Sequence, residues 1–298
     1  MANTKTAATP QANGKQKKKE SLGKITFRRL AKSPMARIGF AIVVIMVFCS
    51  VFANVIAPYD YTKMDLMNRF QSPSWQHLFG TDEMGRDIFS RMLIGSRYSL
   101  SIGVITVALS AIVGIAIGAI CGYYGGAVDT VIMRLIDVVQ AIPRLVLAIA
   151  IAAAMGPGFR NCVLALAISG VPGYVRMARA SVMNIRKMEF LEAASAINCT
   201  DPRIIFKHVL PNALSPLIVQ MTMGVASGII AASQLSFVGL GVQPPEPEWG
   251  AMLSAGRSYI RDYSYLTTCP GLVIMTAVLA MNMIGDALRD ALDPKLKD

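Results

Sequence analysis

Residues that could bind a metal ion or carry out catalysis are few in this sequence and lie far apart. The two histidines are His77 and His208, and the five cysteines form no Cys-x-x-C pair. The Gly-Lys pairs at 14–15 and 23–24 are not followed by Ser or Thr, so the chain lacks the loop that cradles the phosphates of ATP. We therefore expect no enzymatic activity, no metal site and no cofactor bound by this chain, and we interpret the cysteines as small apolar residues.

One pair of opposite charges lies within an apolar run. Arg134 and Asp137 are three residues apart near the start of the run 132–155, and Pro143 interrupts the same run. An ionisable residue inside a membrane is a functional hypothesis by default, but near the end of a span these two residues are expected to form an intramolecular pair that reaches water. Pro143 is expected to kink the helix.

The elements that position these residues are blocks of about twenty apolar residues, the length that crosses a bilayer core. The chain of 298 residues is 54% hydrophobic and 16% charged, with a mean hydropathy of +0.49. This composition predicts an all-α integral membrane protein. Six transmembrane helices are predicted, at 38–57, 100–122, 132–155, 160–175, 214–235 and 269–288. The flanking regions are a basic tail at 1–37, a polar segment at 58–98, a core at 99–290 and a tail at 291–298.

The formal net charge of +11 is concentrated in the tail 1–37, which ends directly at the first span. Because basic residues favour the cytoplasmic side, we place both termini in the cytoplasm and the segment 58–98 outside, although that segment also carries basic residues balanced by acids. A basic tail can bind nucleic acid, but a tail that meets a span is typical of a protein lying near anionic lipid. We predict the lipid bilayer as its partner and no nucleic acid.

The segment 189–212 is polar and lies between two apolar runs. Phe190, Ala193, Ala194 and Ile197 share one face of a predicted helix, and Asn198 is placed to end it in a left-handed conformation. The pattern of this first half predicts a short amphipathic helix on the cytoplasmic side.

A second short helix is predicted after Asn198. Asp201 is expected to cap it and Leu210-Pro211 to stop it, with Ile204, Ile205 and Val209 on its apolar side. Two helices this short need partners, so the segment either docks on a cytoplasmic protein or only links two spans, and the pattern alone favours neither.

The same segment resembles the EAA loop of binding-protein-dependent ABC importer permeases. Glu192-Ala193-Ala194 and Leu210-Pro211 match that loop, whereas Asn198 stands at the family's Gly position. Four further stretches resemble the C-type permease of dipeptide, oligopeptide and nickel importers: HLFGTDEMGRDIFSRMLIGSRYSL at 77–100, RLIDVVQAIPRL at 134–145, LSFVGLGVQPPEPEWGAML at 235–253 and GDALRDALDP at 285–294.

The resemblance implies a type I ABC importer permease fold in a bacterial inner membrane, with this chain forming half of the translocation path for peptides or a related small solute. It implies a second homologous permease, two ABC ATPase subunits that carry ATP and Mg, and an extracytoplasmic solute-binding protein. Dipeptides, longer peptides, nickel chelates and glutathione all stay open as the solute. The alternative, an ion-coupled secondary transporter, would need ionisable residues near the middle of its spans.

The resemblance also assigns roles to individual residues. The ATPase-coupling residues it implies are Glu192, Ala193, Ala194, Asn198, Leu210 and Pro211. The structural or gating candidates are Arg134, Asp137, Pro143, Gly239, Gly241 and Pro244. The loop that contains Gly239 and Pro244 either faces the binding protein or gate, or is a rigid turn-rich connection.

Overall fold

The computed structural model describes residues 22–191 and 198–292. Within these ranges the chain is helical and forms no sheet. Five helices are long and apolar enough to cross a membrane, and a bent pair of shorter helices supplies a sixth span when it is counted as one. The protein is therefore an all-α membrane protein, as its composition predicts.

The helices are named here in chain order. They are α1 (Leu22–Lys32), α2 (Pro34–Val51), α3 (Ala53–Ile56), α4 (Ile88–Tyr124), α5 (Gly126–Gln140), α6 (Arg144–Met155), α7 (Phe159–Arg186), α8 (Asp201–Arg203), α9 (Leu210–Phe237), α10 (Trp249–Gly256) and α11 (Tyr265–Leu292). A π-helical turn, Ile204–Val209, joins α8 to α9, and two 3-10 turns lie at Leu66–Asn68 and Arg257–Tyr259.

Two spans extend far beyond their predicted bounds, and charged side chains in the added residues find partners inside the fold. Helix α4 begins at Ile88 rather than at 100, and Arg97 in its first part donates from Nε to the Ser50 carbonyl at 2.7 Å. Helix α7 continues to Arg186 instead of ending at 175. A pattern of charges shows that a segment is polar, but it does not show which groups will neutralise it.

The centre of the bundle is a close contact between α4 and α7. Gly114, Gly118 and Gly122 are four residues apart on α4 and form a stripe of small residues facing α7. A Cβ at Gly118 would stand 2.4 Å from the Val175 carbonyl oxygen. Only a residue without a side chain permits this approach, as in other membrane helix pairs with small residues at this spacing.

The third span is broken at Pro143. Helices α5 and α6 meet at an angle of 83°, so the break is far sharper than the predicted kink. Pro143 has φ −52 and ψ 132 and is the residue before α6, where its missing N–H costs nothing. The break places the start of α6 against the middle of the bundle.

The loop between α9 and α10 is anchored by a buried carboxylate. Glu248 is 0% exposed and caps α10 by accepting from the backbone N–H groups of Gly250 and Ala251. It also accepts from the hydroxyls of Ser99 on α4 and Ser236 on α9, at 3.0 and 2.7 Å. One side chain therefore ties three helices together.

Candidate functional site

The segment after α7 lies against one end of the bundle. Ile204, Ile205 and Val209 are buried, as predicted, and pack with Ala119 of α4 and Val182 of α7. This apolar contact fixes the π-helical turn to the ends of two long helices. A displacement of the turn would therefore act directly on α4 and α7.

Asn198 adopts the left-handed conformation that its position predicts. Its φ of 58 lies in the region that Gly adopts readily and Asn tolerates better than most residues. Glu192, Ala193 and Ala194 lie outside the described residues.

Two details of the predicted second helix are wrong. Thr200, not Asp201, is the N-cap residue, and the Asp201 carboxylate instead accepts from the Tyr123 hydroxyl at 2.7 Å. The helix also does not stop at Leu210-Pro211, since α9 begins at Leu210 and continues to Phe237. The Leu210 N–H bonds the Ile205 carbonyl, five residues back, so the wider π turn accommodates the proline that follows.

Large apolar side chains are exposed on this segment. Phe206 is 71% exposed, although its neighbours Ile204 and Ile205 are buried, and Phe190 is 41% exposed. Phe206 was not among the residues predicted from the sequence to have a function. The sequence feature that could have identified it is an aromatic residue on the polar side of an amphipathic turn, beside Lys207 and His208.

The charged residues near the break of the third span pair with α7 rather than with each other. Asp137 accepts from Arg176 Nη2 at 2.7 Å, so the predicted pair of Arg134 with Asp137 does not form. The side chains of the Arg176–Asp137 pair are exposed to a little over half, so this pair reaches water. The reason is that α7 extends past 175 and brings its arginines alongside α5.

A cavity of about 340 Å³ lies where α4, α7 and α9 meet the break between α5 and α6. Thr106 of α4 is the middle residue of that 37-residue helix, and Gly173 of α7 and Gly224 of α9 are also near the middle of their helices. The polar lining residues are Thr106, Ser110, Gln140, Arg144, Ser169, Tyr174, Gln220 and Ser227. The bundle therefore contains a polar space halfway along its length, which the sequence did not predict because its walls come from four separate segments.

Pro143 borders this cavity, whereas the candidates Gly239, Gly241 and Pro244 do not. Gly239 has φ 79, and the Gly241 carbonyl accepts from the Gly158 N–H at 2.9 Å, which joins the loop to the start of α7. Pro244 borders a second, smaller cavity of about 80 Å³.

Trp249, at the end of the same loop, is 1% exposed and donates from Nε1 to the Met92 carbonyl at 3.0 Å. Together with the Gly241 carbonyl bond, this contact favours the rigid, turn-rich alternative for the loop. Within the described ranges, no group of three or more His, Cys, Asp and Glu side chains lies close enough to hold a metal ion.

Two family models match this chain. One, for the binding-protein-dependent transport system inner membrane component, matches residues 114–298. The other, for the N-terminal transmembrane domain of oligopeptide transport permease C, matches residues 21–73.

Similar proteins cover most of the chain. It is 45% identical over 271 residues to a dipeptide transport system permease protein of Alkalihalophilus pseudofirmus, covering 91% of this chain and 89% of the relative. It is 42% identical over 272 residues to a glutathione transport system permease protein of Escherichia coli, covering 91% and 90%.

The chain also resembles a solved structure of the MetNI methionine ABC transporter in an inward-facing conformation. The TM-score is 0.57 at 16% identity, covering 69% of this chain and 98% of that one. At this identity the likeness concerns the fold alone.

Proposed function

This chain belongs to the family of binding-protein-dependent transport system inner membrane components and is a multi-pass permease subunit of an ABC importer of the inner membrane, and from that premise we propose how it works. An ion-coupled secondary transporter is not supported. We propose that the chain pairs with a second homologous permease, binds two ATPase subunits that carry ATP and Mg, and receives its solute from an extracytoplasmic binding protein. The solute we propose is a dipeptide or another short peptide, the substrate class for which the A. pseudofirmus relative is named.

The observation that carries this proposal is the arrangement of the described residues of the segment 189–212. Its buried side, Ile204, Ile205 and Val209, packs on α4 and α7, while Phe190 and Phe206 are exposed. A segment that is fixed to the bundle on one side and exposes aromatic side chains on the other can transmit the movement of a docked protein to the spans. We propose Glu192, Ala193, Ala194, Asn198, Leu210, Pro211 and Phe206 as the ATPase-coupling residues.

The cavity between α4, α7 and α9 is proposed as this chain's part of the translocation path. The break at Pro143 forms one of its walls, and the Arg176–Asp137 pair joins α5 to α7 near it. Pro143 and Asp137 therefore keep their gating role in this proposal. Arg134, Gly239, Gly241 and Pro244 stay structural candidates.

Reconstitution tests whether the ATPase subunits, and not this chain, hydrolyse ATP. The purified chain alone is expected to hydrolyse no Mg-ATP, whereas the chain co-purified with its ATPase subunits and supplied with the binding protein is expected to hydrolyse ATP and import dipeptide into proteoliposomes. Magnesium-dependent turnover by the isolated chain, or dipeptide import without the ATPases, would contradict the proposal.

The proposed orientation has both termini in the cytoplasm. Single cysteines placed near Ser72 and Pro245 are expected to react with an impermeant thiol reagent added to spheroplasts, whereas cysteines near Ala12 and Lys297 are expected to react only after lysis. Labelling near Lys297 in intact spheroplasts would show that the number of spans is wrong.

A further inference from the structure

A positively charged side chain lines the cavity halfway along the bundle. Arg144, the first residue of α6, is the one charged side chain among the described residues that line it, and the lining contains no carboxylate. The guanidinium has room because residue 170 is glycine. A Cβ at Gly170 would stand 3.3 Å from Arg144 Nη2 and 2.6 Å from Ser110 Oγ.

The start of α6 faces the same space. Its first N–H groups have no carbonyl partner within the helix, and no side chain caps them. Pro143 and Arg144 both border the cavity, so this end of a twelve-residue helix is directed towards it. An uncapped helix start attracts negative charge.

A buried hydroxyl in the cavity wall also lacks a partner. Thr106 is 1% exposed, and its Oγ1 has no hydrogen-bond partner within the described structure. The lining hydroxyls of Ser110, Ser169 and Ser227 each donate to a backbone carbonyl of their own helix. A buried hydroxyl without a partner is costly, so a hydrogen-bond acceptor that enters the cavity and reaches the Thr106 hydroxyl would gain from it.

We propose that Arg144, the start of α6 and the Thr106 hydroxyl form an anion subsite that takes the terminal carboxylate of the solute as it crosses. This inference rests on the proposed function and adds the chemical group that the path recognises. A guanidinium suits a carboxylate because its donors form a planar fork, and no acid among the described lining residues competes for it.

The first test compares uptake of a dipeptide with uptake of its C-terminal amide by the complete importer. Arg144→Gln is expected to lower the ratio of acid to amide uptake about tenfold, which corresponds to about 1.4 kcal/mol. Arg144→Lys keeps a point charge without the planar fork of donors, so its ratio of acid to amide uptake is expected to lie between those of the wild type and Arg144→Gln. Because the binding protein is unchanged in all variants, its own preference cancels.

The matched control is Arg160→Gln, which removes one exposed arginine from the start of α7, outside the cavity. It is expected to leave the ratio unchanged. An equal loss of acid and amide uptake in Arg144→Gln, with the complex still assembled, would overturn the subsite and indicate that Arg144 pairs with a carboxylate of the second permease.

The second test needs no knowledge of the solute. Ser227 lines the cavity and is exposed, so Ser227→Cys, in the complete importer whose five native cysteines in this chain are replaced by alanine, places a thiol there. Its rates of reaction with an anionic sulfonate methanethiosulfonate and a cationic trimethylammonium methanethiosulfonate are compared. Adding Arg144→Gln is expected to lower the anion-to-cation rate ratio several-fold, and an unchanged ratio would overturn the subsite.

The two tests separate the possible failures. If the wild-type importer takes up no dipeptide but the labelling ratio depends on Arg144, the proposed peptide substrate is wrong and the anion subsite stands. If dipeptide uptake is normal and neither ratio depends on Arg144, the subsite is wrong and the proposed function stands.

Discussion

The guanidinium of Arg179 donates two hydrogen bonds to the carboxylate of Asp129, one of them 2.6 Å long from Nη2 to Oδ2. This pair joins α7 to the first turn of α5, and its side chains are 28% and 14% exposed. The Arg176–Asp137 pair joins the same two helices, but its side chains are 55% and 56% exposed. The two pairs therefore differ mainly in their access to water.

This difference predicts unequal contributions to stability. Asp129→Asn is expected to lower the free energy of unfolding of the purified chain in detergent by about 1–2 kcal/mol, because it leaves a partly buried arginine without its charged partner. Asp137→Asn is the matched control and is expected to cost roughly 0.5 kcal/mol or less, as exposed pairs do. The thermal midpoints of the two variants are compared. A fall in the midpoint of Asp137→Asn that equals or exceeds that of Asp129→Asn would contradict the prediction.

The contact of α4 with α7 predicts a steric effect at Gly118. Gly118→Leu puts a side chain where the Val175 carbonyl oxygen is 2.4 Å and the Ala178 Cβ 2.8 Å from the new Cβ, so the helices must separate. Overpacking of this kind costs about 1–3 kcal/mol or more, and we expect little folded protein in the membrane. Gly271→Ala is the control, since its nearest contact is 3.7 Å away. Membrane abundance after mild solubilisation measures both, and normal abundance of Gly118→Leu would refute the close packing.

The buried carboxylate of Glu248 predicts a cost for the isosteric change Glu248→Gln. Each carboxylate oxygen accepts one serine hydroxyl and one backbone N–H, so an amide in either orientation sets its NH₂ against a backbone donor. The expected loss is about 1–3 kcal/mol of unfolding free energy. Glu246→Gln, in the same loop but less buried, is expected to be close to neutral. A Glu248→Gln protein with an unchanged thermal midpoint would argue against the four-bond arrangement.

The sequence predicts well what depends on local pattern. The burial of Ile204, Ile205 and Val209 follows from helical spacing, and the left-handed backbone of Asn198 follows from its place in a turn. Both features are decided by neighbouring residues.

Features that need a distant partner were mispredicted or missed. A pair of Arg134 with Asp137 was predicted because the two are three residues apart. Asp137 bonds to Arg176 instead, because the extension of α7 brings Arg176 close to it. The second helix was predicted to stop at Leu210-Pro211. It continues because a π-helical turn, which leaves no mark in a hydrophobic pattern, precedes the proline. The proposed role of Arg144 was also missed, because the cavity that it borders is assembled from four separate segments.

The last prediction concerns the segment 189–212 and its proposed contact with an ATPase. Phe206→Ser should reduce co-purification of the ATPase and uptake without lowering membrane abundance, because this side chain is 71% exposed. Met67→Ser is the control, since Met67 is 93% exposed in the segment 58–98, which we place on the opposite side of the membrane.

Variants within the EAA sequence of the same segment extend this test. Glu192→Lys reverses a charge at the proposed contact, and loss of a buried charge-assisted contact costs about 2–5 kcal/mol, enough to uncouple transport from ATP hydrolysis. Ala194→Trp should act by steric exclusion. Asn198→Gly should be mild, because Gly adopts a φ of 58 without strain. Membrane abundance, ATPase co-purification and dipeptide uptake are measured for each variant. Normal uptake by both Glu192→Lys and Ala194→Trp would mean that the segment only links two spans.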